Sequence, residues 1–64
     1  MTVQDVLQVT LNKVYVMEKD RAYAIIAKFD EGRQDIAVNY DRQAVFKMTV
    51  KDITPSDRDL LLTV

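Results

Sequence analysis

The tightest groupings of reactive side chains are two carboxylate pairs, Asp30-Glu31 and Asp57-x-Asp59. Carboxylates can act as general acids or bases, or as oxygen ligands for a hard cation. Neither pair has the spacing of a calcium-binding EF-hand loop. A solvated, charged turn accounts for both. The chain has no His and no Cys. That rules out Ser-His-Asp and Cys-His triads, zinc-protease helices, and zinc or iron–sulfur sites built on those ligands. With a single Gly there is no glycine-rich phosphate loop. The expectation is a protein that is not an enzyme and uses no metal or cofactor.

Cationic and aromatic side chains offer binding chemistry instead. Arg21, Arg33 and Arg42 are the natural contacts for a phosphate, because the guanidinium fork matches its geometry. Arg42, Lys47 and Lys51 could line one side of a nucleic-acid site, with Tyr40 and Phe46 as stacking partners. Lys13, Lys28 and Arg33 lie near strand ends. Against this, Asp30, Asp35, Asp41 and Asp52 are interleaved with the bases, and ten acids face nine bases for a net charge of −1. Such mixing is a solubility pattern rather than a basic footprint. Nucleic acid and small anions are therefore the runner-up ligands.

These side chains must be held by elements, and the clearest lies between Val14 and Phe29. Val14-Tyr15-Val16-Met17 and Tyr23-Ala24-Ile25-Ile26-Ala27 are β-branched and aromatic runs suited to a pleated, half-buried surface. Glu18-Lys19-Asp20-Arg21 separates them as a charged turn, so the stretch predicts a β-hairpin. Alternation puts Val14 and Val16 on one face and Tyr15 and Met17 on the other. In the second run it groups Tyr23, Ile25, Ala27 and Phe29 against Ala24 and Ile26. Both faces are largely apolar, whereas a sheet with one wet face alternates apolar and polar residues. Each face therefore needs a cover.

The remaining elements provide one cover readily. Thr2 is a good N-cap with Asp5 three residues on, and Val3, Val6, Leu7 and Leu11 recur at helical spacing. A short amphipathic helix over Val3 to Val9 follows, although Val9 falls off the stripe. Gly32 suits a turn with positive φ. Asp35 to Tyr40 alternates as a third, edge strand. Asp41 can cap a helix over Arg42 to Met48 with Ala44, Val45 and Met48 as its stripe. Tyr40 can then pack on Val45 as a hydrophobic staple. The same residues also read as a strand from Ala44 onward. Met48 to Ile53 predicts a strand, Thr54-Pro55-Ser56-Asp57-Arg58 a turn, and Asp59 to Val64 a returning strand. The alternative is a C-terminal helix capped by Thr54 with Pro55 at its first position.

Sixty-four residues make one domain, 1–64, of a size that buries only about 60% of its unfolded surface. Without Cys there is no disulfide staple, so association with another chain is a natural source of stability. Absence of Cys fits a reducing cytoplasm. Met1-Thr2-Val3-Gln4-Asp5 lacks the basic and apolar regions of a signal peptide, and no apolar run approaches a membrane span.

The order of pieces resembles short accessory proteins of bacteriophages and prophages. Thr2-Val3-Gln4-Asp5-Val6-Leu7 matches their T-V-x-[DE]-[LV]-L helix, Val14-Tyr15-Val16 their V-x-[VI] hairpin, and Val50-Lys51-Asp52-Ile53 their closing V-x-x-I hairpin. The chain departs from that layout in its unusually apolar second strand. It departs again at Asn39-Tyr40-Asp41, where a Pro-containing helix start is expected. The resemblance implies a protein that binds and inhibits a host protein, or sequesters a small signalling molecule, in the host cytoplasm. The expected architecture is α+β: a short N-terminal helix packed on an antiparallel sheet of four to five strands, with a small all-β barrel as the alternative. The expected contact residues are Tyr15, Met17, Arg21, Tyr23, Arg33, Tyr40 and Arg42. The expected partner is a host protein, with a homodimer as a further possibility and no membrane.

Overall fold

The computed structural model describes all 64 residues. Helix α1 (Val3–Val9) leads into strand β1 (Lys13–Glu18), a short 3-10 turn (Lys19–Arg21), and strands β2 (Ala24–Asp30) and β3 (Arg33–Ile36). Helix α2 (Arg42–Lys47) then precedes β4 (Asp52–Ser56) and β5 (Asp59–Thr63). The five strands form one open sheet in the order β3-β2-β1-β5-β4, so no barrel closes.

The α+β architecture and both hairpins match the sequence reading. One pairing differs from an all-antiparallel sheet: β5 docks parallel to β1, with Val14 opposite Leu60 and Val16 opposite Leu62. The chain leaves the β1–β2–β3 meander on one side and returns on the other side of β1. Parallel neighbours need a long crossover, usually helical, and α2 lies on it.

Helix α1 has the expected limits for the expected reason. Thr2 Oγ1 accepts from the Asp5 N–H at 3.3 Å, and an Asp5 carboxylate oxygen accepts from the Thr2 N–H at 2.9 Å. This reciprocal capping box satisfies two backbone donors that the helix itself cannot. The Thr2 bonds hold the Asp5 carboxyl below its ordinary pKa, the backbone N–H contributing most. A carboxylate with a depressed folded pKa stabilises above its unfolded pKa and loses that contribution as pH falls through the folded value. Amide exchange in α1 is therefore expected to accelerate as pH drops below the ordinary carboxylate range, after correction for intrinsic exchange. In Asp5→Asn that acid-dependent step should disappear. Leu11 lies beyond the helix end and is fully exposed rather than on its stripe, as is most of Val9.

A bulge changes the face assignment in β2. Val14 to Val16 pair with Phe29 to Ala27, but Met17 pairs with Ile25, leaving Ile26 as the extra residue. Ile26 and Ala27 are consequently both buried, while Ile25 is turned out and 58% exposed. Strict alternation wrongly grouped Ile25 with Ala27 and Phe29 because it presumes no such insertion. Tyr23 lies before the strand, in the turn.

That turn contains no glycine, yet Ala22 and Tyr23 both take left-handed backbone angles, φ 55° and 62°. A side chain there costs roughly 1–2 kcal/mol. Ala22→Gly is expected to raise stability by about 1 kcal/mol, read as a higher denaturation midpoint at unchanged slope. Gly32 has φ 72° between β2 and β3, as its isolation in the sequence suggests.

The later segments correct three boundaries. β3 spans Arg33–Ile36, not Asp35 to Tyr40, and Tyr40 instead precedes α2. Met48 to Val50 is not part of β4. It clamps the N-terminus through Val3 N–H to Met48 O at 3.0 Å and Val50 N–H to Met1 O at 2.9 Å. β4 begins at Asp52 and takes in Thr54, Pro55 and Ser56, so the reversal reduces to Asp57 and Arg58. Pro55 fits because β4 is an edge strand.

Residues 42–47 are helical, capped by Asp41 through its backbone only. Val45 is fully buried and Phe46 rather than Ala44 completes the inward stripe. The Phe46 ring meets Phe29 at 5.8 Å between centroids. Val3 and Val6 from α1 and Val45 from α2 share one core with Val14, Val16, Ala27, Phe29 and Leu62. Both helices therefore cover the same face of the sheet.

Candidate contact surface

The opposite face has no covering element. Strand register places Lys13, Tyr15, Met17, Ile25, Lys28, Asp30, Leu61 and Asp59 on it, with Arg33 and Asp35 on β3, Thr54 and Asp52 on β4, and Thr63, the one buried member, between Met17 and Asp52. None of its apolar members belongs to the core or packs against it. Tyr15, Met17 and Leu61 are half-buried and Ile25 is exposed.

The centre of this face is apolar because β1, the middle strand of five, contributes Tyr15 and Met17. Leu61 lies beside Tyr15 on β5, and Ile25 beside Met17 on β2. Lys28, opposite Tyr15, places its ammonium 5.7 Å from the ring centroid. Its aliphatic stem shelters the ring while the charge remains in water. At the Lys13 end, Lys13 Nζ and an Asp30 carboxylate oxygen approach to 3.7 Å. Asp30 also accepts from the Glu31 N–H at 2.7 Å, so one of the two carboxylate pairs is engaged in turn chemistry. No three acidic side chains converge in a geometry suited to a metal ion.

The seven residues singled out from sequence do not form one site. Tyr15 and Met17 share the open face. Tyr23 is displayed at the hairpin turn, 53% exposed. Arg21 and Tyr40 meet on the helix side of the sheet around Glu18. The Tyr40 hydroxyl donates to Glu18 Oε1 at 2.5 Å, and Arg21 Nε approaches the same oxygen at 2.9 Å. The Arg21 guanidinium also lies 5.6 Å from the Tyr40 ring centroid. The bond to Glu18, and secondarily desolvation, raises the Tyr40 pKa above the usual phenol value. This cluster ties the hairpin turn to the segment leading into α2, and its partners are already satisfied.

Arg33 and Arg42 do come together. Both line a shallow depression with Leu7, Phe29 and Asp30 at the edge near Gly32. The Arg42 guanidinium sits 5.2 Å from the Phe46 ring centroid. Arg21 lies elsewhere, so the three arginines do not converge.

Sequence reasoning missed Leu61 as a member of the open face, and it grouped Ile25 with Phe29, which lies in the core. Leu61 is hidden in the run Leu60-Leu61-Leu62, whose face is set by the parallel docking of β5. Ile25 is placed by the bulge. The run's own period of two could have marked Leu61 as opposite to Leu60 and Leu62. Nothing short of the pairing shows which side is open.

No helix is long and apolar enough to cross a membrane. In comparisons with known proteins, the chain matches no family model, no curated protein and no solved structure.

Proposed function

We propose that this chain is a non-enzymatic binding protein of the host cytoplasm. It acts by protein–protein contact, in the manner of a phage-type inhibitor or adaptor, and its contact surface is the open face of the sheet. The supporting observation is the one-sided core: two helices cover one face, while Tyr15, Met17, Ile25 and Leu61 form an uncovered apolar centre on the other. Contiguous exposed apolar surface of this kind marks interaction sites. Tyr and Met are also enriched in the centres of protein interfaces.

The test is capture of a partner from host lysate with the wild type, Tyr15→Asp, and an Arg33→Ala/Arg42→Ala double variant. Capture should survive the arginine changes and be lost with Tyr15→Asp in a chain that keeps its circular-dichroism spectrum. The opposite pattern would move the site to the arginine depression.

A second reading, binding of an anionic small molecule, is favoured only by the meeting of Arg33 and Arg42. Asp30 in the same depression opposes it. Steep weakening of ligand binding with salt would support this reading.

A further inference from the structure

The open face has a size, an outline and an apolar centre suited to a particular occupant. We infer that it is covered by a second copy of this chain, giving a two-layer sandwich of sheets flanked on both outer sides by helices. The inference rests on the reading of that face as a contact surface and names what covers it.

Area is the first argument. Five strands about 4.8 Å apart, each about five residues long at about 3.3 Å per residue, give a face of roughly 400 Å² in projection. Side-chain relief adds to this, so two such faces pressed together remove on the order of 1,000 Å² from water. That is near the lower bound for a specific interface. An interface so small must use the whole face, and a second identical sheet matches its outline from edge to edge. Sheets packed face to face sit about 10 Å apart with strands near −30°, an arrangement open to twisted sheets such as this one.

Distribution of polarity is the second argument. The apolar centre lies on β1 and its immediate neighbours, whereas Asp35, Asp52 and Thr54 lie on the outer strands and Lys13, Asp30 and Asp59 at one end of the inner ones. A twofold axis running along β1 would set Tyr15 and Met17 over their own symmetry mates. It would also lay β2 and β3 of one copy over β5 and β4 of the other. Lys28 would then lie over Leu61 of the partner subunit rather than over another Lys28. That axis would also set Lys13 over its own mate and Asp30 over Asp59 of the partner subunit at one end of the strands, so the pairing rests on the apolar centre rather than on charge pairing. Closed twofold pairing of this kind is the commonest oligomeric arrangement.

The experiment uses the full chain. Light scattering across micromolar to millimolar concentration should show the mass rising from 7.4 kDa toward twice that value. Because the chain has no Cys, single cysteines report on proximity directly. Tyr15→Cys should form a disulfide-linked dimer under mild oxidation at least about tenfold faster than Gln43→Cys, which sits exposed on α2. Ile25→Asp, at a largely exposed position whose replacement spares the core, should remain folded and stay monomeric at concentrations where the wild type is dimeric.

A wild-type mass fixed at 7.4 kDa throughout, with equal cross-linking of the two cysteine variants, would overturn the second copy as occupant. The reading beneath it would survive that result if Tyr15→Asp still abolished capture of another protein. It would fall as well if the variant captured normally. Dimerisation through the helices would show as faster linkage of Gln43→Cys, and it also overturns the proposal.

Discussion

Leu62→Ala is expected to leave a large fraction of the chain unfolded near 37 °C. Leu62 is fully buried on β5, paired with Val16 on β1, and sits in the core with Val3, Val45 and Phe29. Removing three carbons from such a site costs the lost transfer energy and leaves a cavity, together about 2–5 kcal/mol. A domain with 64 residues has, at about 0.05–0.15 kcal/mol per residue, only some 3–10 kcal/mol in total. One substitution therefore consumes much of it. The position also carries the parallel β1–β5 junction, where the two hairpins of the chain meet. Loosening Leu62 should weaken that seam before either hairpin. Thermal denaturation followed by circular dichroism checks this, and a midpoint within a few degrees of wild type would contradict the assignment of Leu62 to the core.

Leu61→Asp should do the reverse. Leu61 is the immediate neighbour of Leu62 but points to the other side of the sheet, beside Tyr15. It contributes to no part of the core, so a charge there is expected to cost the fold less than about 1 kcal/mol. In a contact surface, however, a buried carboxylate opposite apolar side chains has no partner. Losing the apolar contact and burying that charge together should weaken association by at least about thirtyfold, or some 2 kcal/mol. Adjacent residues with opposite phenotypes would be a direct signature of a sheet with one internal and one external apolar face. Denaturation of the two variants side by side, with sizing of each, reads both outcomes. Leu61→Asp unfolding as readily as Leu62→Ala would place Leu61 in the core and remove the open face.

Much of the fold was legible because local signals agreed with one another. Thr2 and Asp5 announced α1 through a capping box that forms as spaced. The β-branched runs around Tyr15 and Ile26 announced the first hairpin, and Leu60 to Val64 the last strand. What escaped was non-local. Nothing in the residues of β5 states that it lies parallel to β1, since that follows from the crossover through α2. The bulge at Ile26 inserts one residue and shifts the faces on either side of it, so period-two reasoning failed midway through β2. Met48 to Val50 has strand-like composition but bonds the N-terminus instead, a tertiary preference that propensity does not encode.

The candidate surface was legible in outline for the same reasons. That the hairpin had two apolar faces and too little material to cover them could be read from Val14 to Phe29. Which face would be left open depended on both helices landing together on the Val14–Val16 side. Arg21 and Tyr40 looked available because sequence spacing hides their shared acceptor, Glu18, which lies 22 positions from Tyr40.

The three methionines provide the most direct test of whether the open sheet face is the contact surface. Met17 lies on that face, Met48 packs against the core on the helix side, and Met1 is largely exposed. Brief peroxide oxidation followed by mass spectrometry gives a rate for each, compared between dilute free chain and the associated fraction. Selective protection of Met17 on association, with Met1 and Met48 unchanged, is the predicted result. Met17 oxidising at the same rate in both fractions, or protection confined to Met48, would contradict the account.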